Sequence, residues 1–214
     1  MDNKIKVLTL GDHPLSPSGV GSQSKYVIEA LLRSGKFSVI SLGGAIKHQD
    51  YRPIRVEEFK DDWAVIPVDN YGTKEMVRSI LRNEKIDMIW IMTDPRFWGW
   101  LWEMENEIRA ICPMVYYHVW DNYPHPHFNG RYYRSTDEII TISKVTDDIV
   151  ATVAPEAHWG YLPHAVNSEV FRPFTEAELK EKVTELRNNT LFSNEELNSP
   201  KKKLFVWNNR NARR

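Results

Sequence analysis

The sequence predicts an α/β protein: a Rossmann-like, doubly wound parallel sheet with helices on both faces. Three observations carry this expectation. Short apolar runs alternate with amphipathic helical patterns over residues 4–162, at the spacing of βαβ crossovers. The run expected at residues 87–92 is apolar from Met88 onward, as strands covered on both faces are. The opening stretch, residues 4–31, reads as strand, Pro- and Gly-containing loop, and helix, the unit on which such sheets are built.

In that opening unit Ile5, Val7, Leu8 and Leu10 suit a buried strand, and Pro14 and Pro17 exclude regular structure after it. Gly19 and Gly21 would let the backbone approach a ligand where a helix N-terminus favours an anion. Gly35 ends the helix after Arg33. Further strands are expected at residues 37–42, 63–68, 87–92, 113–118, 138–142 and 157–162. Helices are expected at residues 73–82, where Met76, Val77, Ile80 and Leu81 share a face, and at residues 97–110. Ser143 caps another that runs to Val153. Residues 47–62 are polar without a period. Thr175 and Glu178 form a capping box that opens a charged helix to Arg187. Residues 188–203 read as a linker, and residues 204–207 as one more strand with nothing after it.

Length and composition set limits. The 214 residues suit one large domain or one domain with the start of a second, and a 42% apolar share is ample for a core. A net charge of −1 gives no reason to expect a nucleic-acid partner. The single cysteine, Cys112, excludes an internal disulfide and fits a reducing, cytoplasmic compartment. No signal-peptide pattern or bilayer-spanning run is present, which leaves peripheral membrane association open. Of eight tryptophans, Trp90, Trp98, Trp100 and Trp102 crowd one stretch, which reads first as core or interface and second as a sugar-stacking platform.

The loops at the carboxyl ends of the strands gather the chemistry. The glycine loop is not the dinucleotide fingerprint, because Ser24 stands where a third glycine belongs and the second strand ends in Gly43-Gly44 without an acidic residue. His118 falls at the end of a strand, where a histidine can contact a sugar hydroxyl, shuttle a proton, or simply be satisfied by its surroundings. His125 and His127 could join His118 and Asp121 at a metal, but two prolines between and before them favour a surface loop. Asp-x-Asp is absent.

Together these pieces resemble the N-terminal half of a GT-B fold glycosyltransferase, most like glycosyltransferase family 4. Four places carry the resemblance: Pro17-Ser18-Gly19-Val20-Gly21; His118 after the fifth strand; the segment from Leu162 to Pro173, similar to that family's interdomain segment; and the run from Phe205 to Arg214, which looks like the first strand of its nucleotide-binding domain. Asn209 departs from the glycine expected before Arg210, and His164-Ala165 replace Asn-Gly. The family's paired glutamates, eight positions apart, have no counterpart here.

The resemblance implies retaining transfer of a hexose from a nucleoside-diphosphate sugar to an acceptor hydroxyl, with no cofactor and no metal. It implies that His118 is catalytic, so that His118→Ala loses turnover while the fold stays intact. Gly19, Gly21 and Arg210 would meet the donor, and Trp120, Asp121, Asn122 and Tyr123 the carbohydrate or glycoconjugate acceptor. The expected organisation is an acceptor-binding domain over residues 1–173, a helix and linker over 174–203, and the truncated start of a nucleotide-sugar-binding domain over 204–214. The alternative from a different class is a non-catalytic α/β module that binds a carbohydrate or protein through its tryptophan-rich surface.

Overall fold

The computed structural model describes residues 4–120 and 122–188. The chain divides into two compact units, Met1–Ala165 and Val166–Arg214, a boundary that falls before the Pro173 expected from sequence. The first unit carries one sheet. Its elements run β1 (Ile5–Asp12), α1 (Gly19–Arg33), β2 (Phe37–Gly44), β3 (Ile54–Arg55), β4 (Trp63–Pro67), α2 (Lys74–Asn83), β5 (Met88–Met92), α3 (Gly99–Trp102), α4 (Glu105–Arg109), β6 (Met114–His118), α5 (Gly130–Arg134), β7 (Glu138–Thr141), α6 (Lys144–Val153) and β8 (Trp159–Tyr161). The second unit contains α7 (Glu176–Asn188).

The eight strands are ordered β3-β4-β2-β1-β5-β6-β7-β8. Every pairing is parallel except that of β3 with β4. The protein is therefore an α/β, Rossmann-like fold with a mostly parallel sheet. The chain winds outward from β1 through β2 to β4, then returns to β5 and winds the other way. That reversal opens a crevice between the carboxyl ends of β1 and β5, where ligands of such sheets bind.

The pleat sorts the strand residues onto two faces. Leu8, Leu10, Ile89, Ile91, Met114, Tyr116 and Ile139 face one side and pack with Val77 of α2, Leu101 of α3, Ile108 of α4, Tyr133 of α5 and Ile149 of α6. Val7, Val39, Val65, Trp90 and Tyr117 face the other side, where Ile28 and Leu32 of α1 cover them. Both faces are covered, as the apolar runs require, but five helices lie against the first and one against the second.

Three local differences from the sequence expectation have physical causes. The helix expected at residues 97–110 is broken into a 3₁₀ turn, Pro95–Trp98, followed by α3 and α4. Trp98, Leu101, Met104 and Ile108 are all buried, and the Met104 amide bonds to Leu101 O at 3.0 Å, an i→i+3 contact that tightens the chain between the two helices. Helix α5 was not anticipated, because Gly130-Arg-Tyr-Tyr-Arg134 is too short to show a period. Strand β3 lies in the polar stretch and adds an antiparallel edge to β4.

Two expected caps are present. Ser143 accepts from the Thr146 amide at 3.1 Å. In α7, Glu178 accepts from the Thr175 amide at 2.8 Å and Thr175 Oγ1 from the Glu178 amide at 3.3 Å. The tryptophan stretch is core: Trp90, Trp98 and Trp102 are buried, and Trp100 packs partly buried against them. The sugar platform expected as its second reading is not exposed there. Among the described residues no helix is long and apolar enough to cross a membrane.

Candidate functional site

The crevice is floored by the last residues of β1 and β5. Asp12 ends β1 and accepts from Ser18 Oγ at 2.8 Å and from Tyr71 Oη at 3.2 Å. The phenol of that tyrosine is pushed up to about 12, first by burial and then by the Asp12 charge. One set of hydrogen bonds thus ties the α1 cap, β1 and the turn before α2. The loops that open at Asp12 and Thr93 are among those expected from sequence at the ligand edge of the sheet, but Asp12, Tyr71 and Thr93 themselves are not singled out there, since isolated residues carry no pattern until the sheet order brings them together.

Helix α1 starts earlier than expected, so Gly19 and Gly21 are in its first turn and not in the preceding loop. Ser18 is the N-cap and accepts from the Gly21 amide at 2.9 Å. The two glycines differ in kind. A Cβ on Gly21 would lie 2.7 Å from His13 O, 2.8 Å from Ser16 Oγ and 2.9 Å from Ser18 Oγ, so this glycine serves the close packing of its own loop. A Cβ on Gly19 would meet nothing within 4 Å. Only Gly19 leaves the backbone open to a ligand. The carboxylate of Asp12, reaching Ser18, already supplies the negative charge that this helix end favours.

His118 is not open to the cleft, contrary to its expected position. In β6 it shares the Met114 and Tyr116 side of the pleat, which α5 covers, and it has no exposed surface. Its Nδ1 lies 2.9 Å from Tyr116 Oη and its Nε2 2.5 Å from Tyr133 Oη. Burial drives its pKa down to about 3, against a smaller opposing pull from Asp94. At neutral pH this imidazole is uncharged and fully bonded, so it neither shuttles a proton nor touches a ligand in this conformation.

His13 is also buried. Its Nδ1 accepts from the Leu15 amide at 3.2 Å, and its pKa is lowered by burial first and by His48 second. Histidines held neutral in the folded state but free to protonate when unfolded contribute stability above their ordinary value, and that stability is lost as pH falls below it. For His118 alone the loss between pH 6.5 and about pH 5 is about 2 kcal/mol. The urea midpoint should therefore fall across that interval, before carboxylates titrate. A midpoint that is flat or rises on acidification would contradict the buried, neutral assignment.

The acceptor-side candidates lie in the loop after β6. Trp120 is half-buried; its Nε1 donates to Asn122 O at 3.2 Å and its carbonyl accepts from Thr146 Oγ1 at 2.8 Å. The guanidinium of Arg96 sits 4.9 Å over its ring and is clamped from below by Asp94, with Nη2 at 2.5 Å from Oδ2. Asn122 and Tyr123 are exposed, and Tyr123 Oη donates to Asp148 at 3.3 Å. His125 bonds to the same carboxylate at 3.2 Å. Asp121 and Arg210 lie outside the described residues. Among the described residues no group of three His, Cys, Asp or Glu side chains could hold a metal ion.

The last residues of the first unit are tied to its β6 and α1. Tyr117 Oη donates to Leu162 O at 3.0 Å, and Gln23 of α1 pairs with both backbone groups of Ala165, at 2.6 and 3.2 Å.

Fold and crevice define the class: a Rossmann-like α/β domain with a polar, hydroxyl-rich floor at its topological switch point. No protein-family model matches the chain, and no curated protein matches it. Among solved structures, one described as "Trehalose-6-phosphate from E. coli bound with UDP-2-fluoro glucose" aligns at a TM-score of 0.45 and 12% identity, over 86% of this chain and 55% of that one. The chain thus spans about half the length of that structure's chain.

Proposed function

We propose that this chain is the acceptor-side half of a GT-B fold glycosyltransferase that moves a hexose from a nucleoside-diphosphate sugar to an acceptor hydroxyl, with retention and without a metal. The observation that carries this reading is the makeup of the switch-point crevice. Its floor presents the hydroxyls of Ser18 and Tyr71 and the carboxylate of Asp12 in one hydrogen-bonded set. Such groups suit the hydroxyls of a carbohydrate, which both donate and accept. They suit a diphosphate poorly, because Asp12 occupies the charge position at the α1 N-terminus and repels a second anion. The donor diphosphate is therefore assigned to groups outside the crevice, with Arg210 as one of them and Gly19 as the one open backbone contact on this side.

Trp120, Asn122 and Tyr123 supply aromatic and polar surface beside the crevice for the acceptor, with Asp121 in the same loop. His118 acts at one remove in this reading, by holding its neighbours. The test is to incubate the natural protein, including whatever continues past Arg214, with a panel of nucleoside-diphosphate hexoses and mono- or oligosaccharide acceptors. Acceptor-dependent release of the nucleoside diphosphate supports the proposal. Binding of saccharides with no release from any donor would instead favour a non-catalytic module.

A further inference from the structure

A buried chain of hydrogen bonds reaches the crevice from beneath, and its direction follows from the chemistry of its members. The carbonyl of Thr93 only accepts, so the Tyr116 hydroxyl donates to it, at 2.7 Å. The Tyr116 oxygen then accepts from His118, which places the imidazole proton on Nδ1. That leaves Nε2 to accept from the Tyr133 hydroxyl, and the Tyr133 oxygen accepts from the Asn129 amide at 3.4 Å. Every bond points toward Thr93. Because His118 stays neutral over the physiological range, the direction does not reverse with pH.

At the receiving end the backbone is strained. Thr93 has φ of 153°, a region that a β-branched residue rarely enters, and it is buried. Such a conformation persists only where the surroundings over-determine it, and such residues cluster at ligand sites. The next residue, Asp94, is half-buried, and its amide donates to no described residue. Its carboxylate is fixed by the Arg96 amide at 2.9 Å and by the Arg96 guanidinium.

We infer that Tyr116, His118, Tyr133 and Asn129 are positioning residues that hold the strained Thr93–Asp94 peptide, so that the Asp94 amide and carboxylate together meet one hydroxyl of a carbohydrate ligand. A hydroxyl can accept from the amide and donate to the carboxylate at once. A fully ionised phosphate can use only the first, because it has no proton to donate to the carboxylate. The choice of ligand rests on the carbohydrate reading of the crevice; the positioning role rests on the hydrogen-bond chain and the Thr93 backbone.

Two neighbouring tyrosines make the test. Tyr116→Phe removes the hydroxyl that holds Thr93, whereas Tyr117→Phe removes one on the opposite face of the same strand, bonded to Leu162 O. Tyr117→Phe loses one hydroxyl hydrogen bond and Tyr116→Phe two, the one donated to Thr93 O and the one accepted from His118 Nδ1. A purely structural role therefore lowers the melting temperature of Tyr116→Phe further but leaves hexose binding alike in the two. Backbone amide NMR of the 214-residue chain is titrated with D-glucose, D-mannose and D-galactose. At least one hexose should shift the Asp94 amide signal in the unaltered chain and in Tyr117→Phe, and bind about tenfold more weakly in Tyr116→Phe, a loss of about 1.4 kcal/mol. No hexose-dependent shift at Asp94 in the unaltered chain, or equal binding by Tyr116→Phe, overturns the inference. If Tyr116→Phe does not fold, the imidazole ¹⁵N shifts of the unaltered chain decide the relay, since a proton on Nε2 of His118 contradicts its direction. Failure of the transfer assay with an intact Asp94 response would sink the enzymatic reading and leave this one standing.

Discussion

His118→Ala should destabilise the first unit by about 3–5 kcal/mol, from the cavity it leaves and from the Tyr133 hydroxyl that loses its acceptor in a dry interior. The side chain is fully buried between Tyr116 and Tyr133, and neither tyrosine has solvent to turn to. His125→Ala and His127→Ala should stay within about 0.5 kcal/mol, because one has only an exposed carboxylate as partner and the other is exposed. Urea denaturation of the three variants measures this. The result reverses the expectation drawn from sequence, in which the histidine could be removed with the fold intact. Equal stabilities for all three would mean that His118 stands in water at the strand end after all.

Gly21→Ala should cost about 2–4 kcal/mol, whereas Gly19→Ala should be neutral or gain up to about 1 kcal/mol. The added methyl at Gly21 would fall within 3.0 Å of the His13 carbonyl and of the Ser16 and Ser18 hydroxyls; the first is backbone and the last is the cap of α1, so neither yields cheaply. At Gly19 the methyl enters open space and improves a helical position. Paired denaturation curves check it. In the sequence the two glycines look like one motif, and a tolerated methyl at Gly21 would restore that view by showing that the loop is loose.

The contrast shows where sequence reasoning reached and where it stopped. The strand series was legible because buried parallel strands are mostly apolar on both faces, as Met88 to Met92 are. Caps such as Ser143 and Thr175 were legible because they act within a few residues. Side-chain direction was not. His118 was placed correctly at the end of β6, but the pleat turns it toward α5, a helix of five residues that shows no period of its own. The crevice floor was out of reach for a related reason. Asp12, Tyr71 and Thr93 come from three separate turns, and only the reversal of strand order between β1 and β5 makes them neighbours.

The central claim of the proposal is that this chain receives hydroxyls and leaves a donor diphosphate to groups outside the crevice. Calorimetry with UDP-glucose and GDP-mannose on the 214-residue chain tests it most directly. The account predicts no saturable heat at micromolar ligand, because Asp12 repels a diphosphate at the α1 N-terminus and only Gly19 is open to it there. Micromolar binding of either, about −8 kcal/mol at 25 °C, would place the nucleotide in this domain and contradict the account.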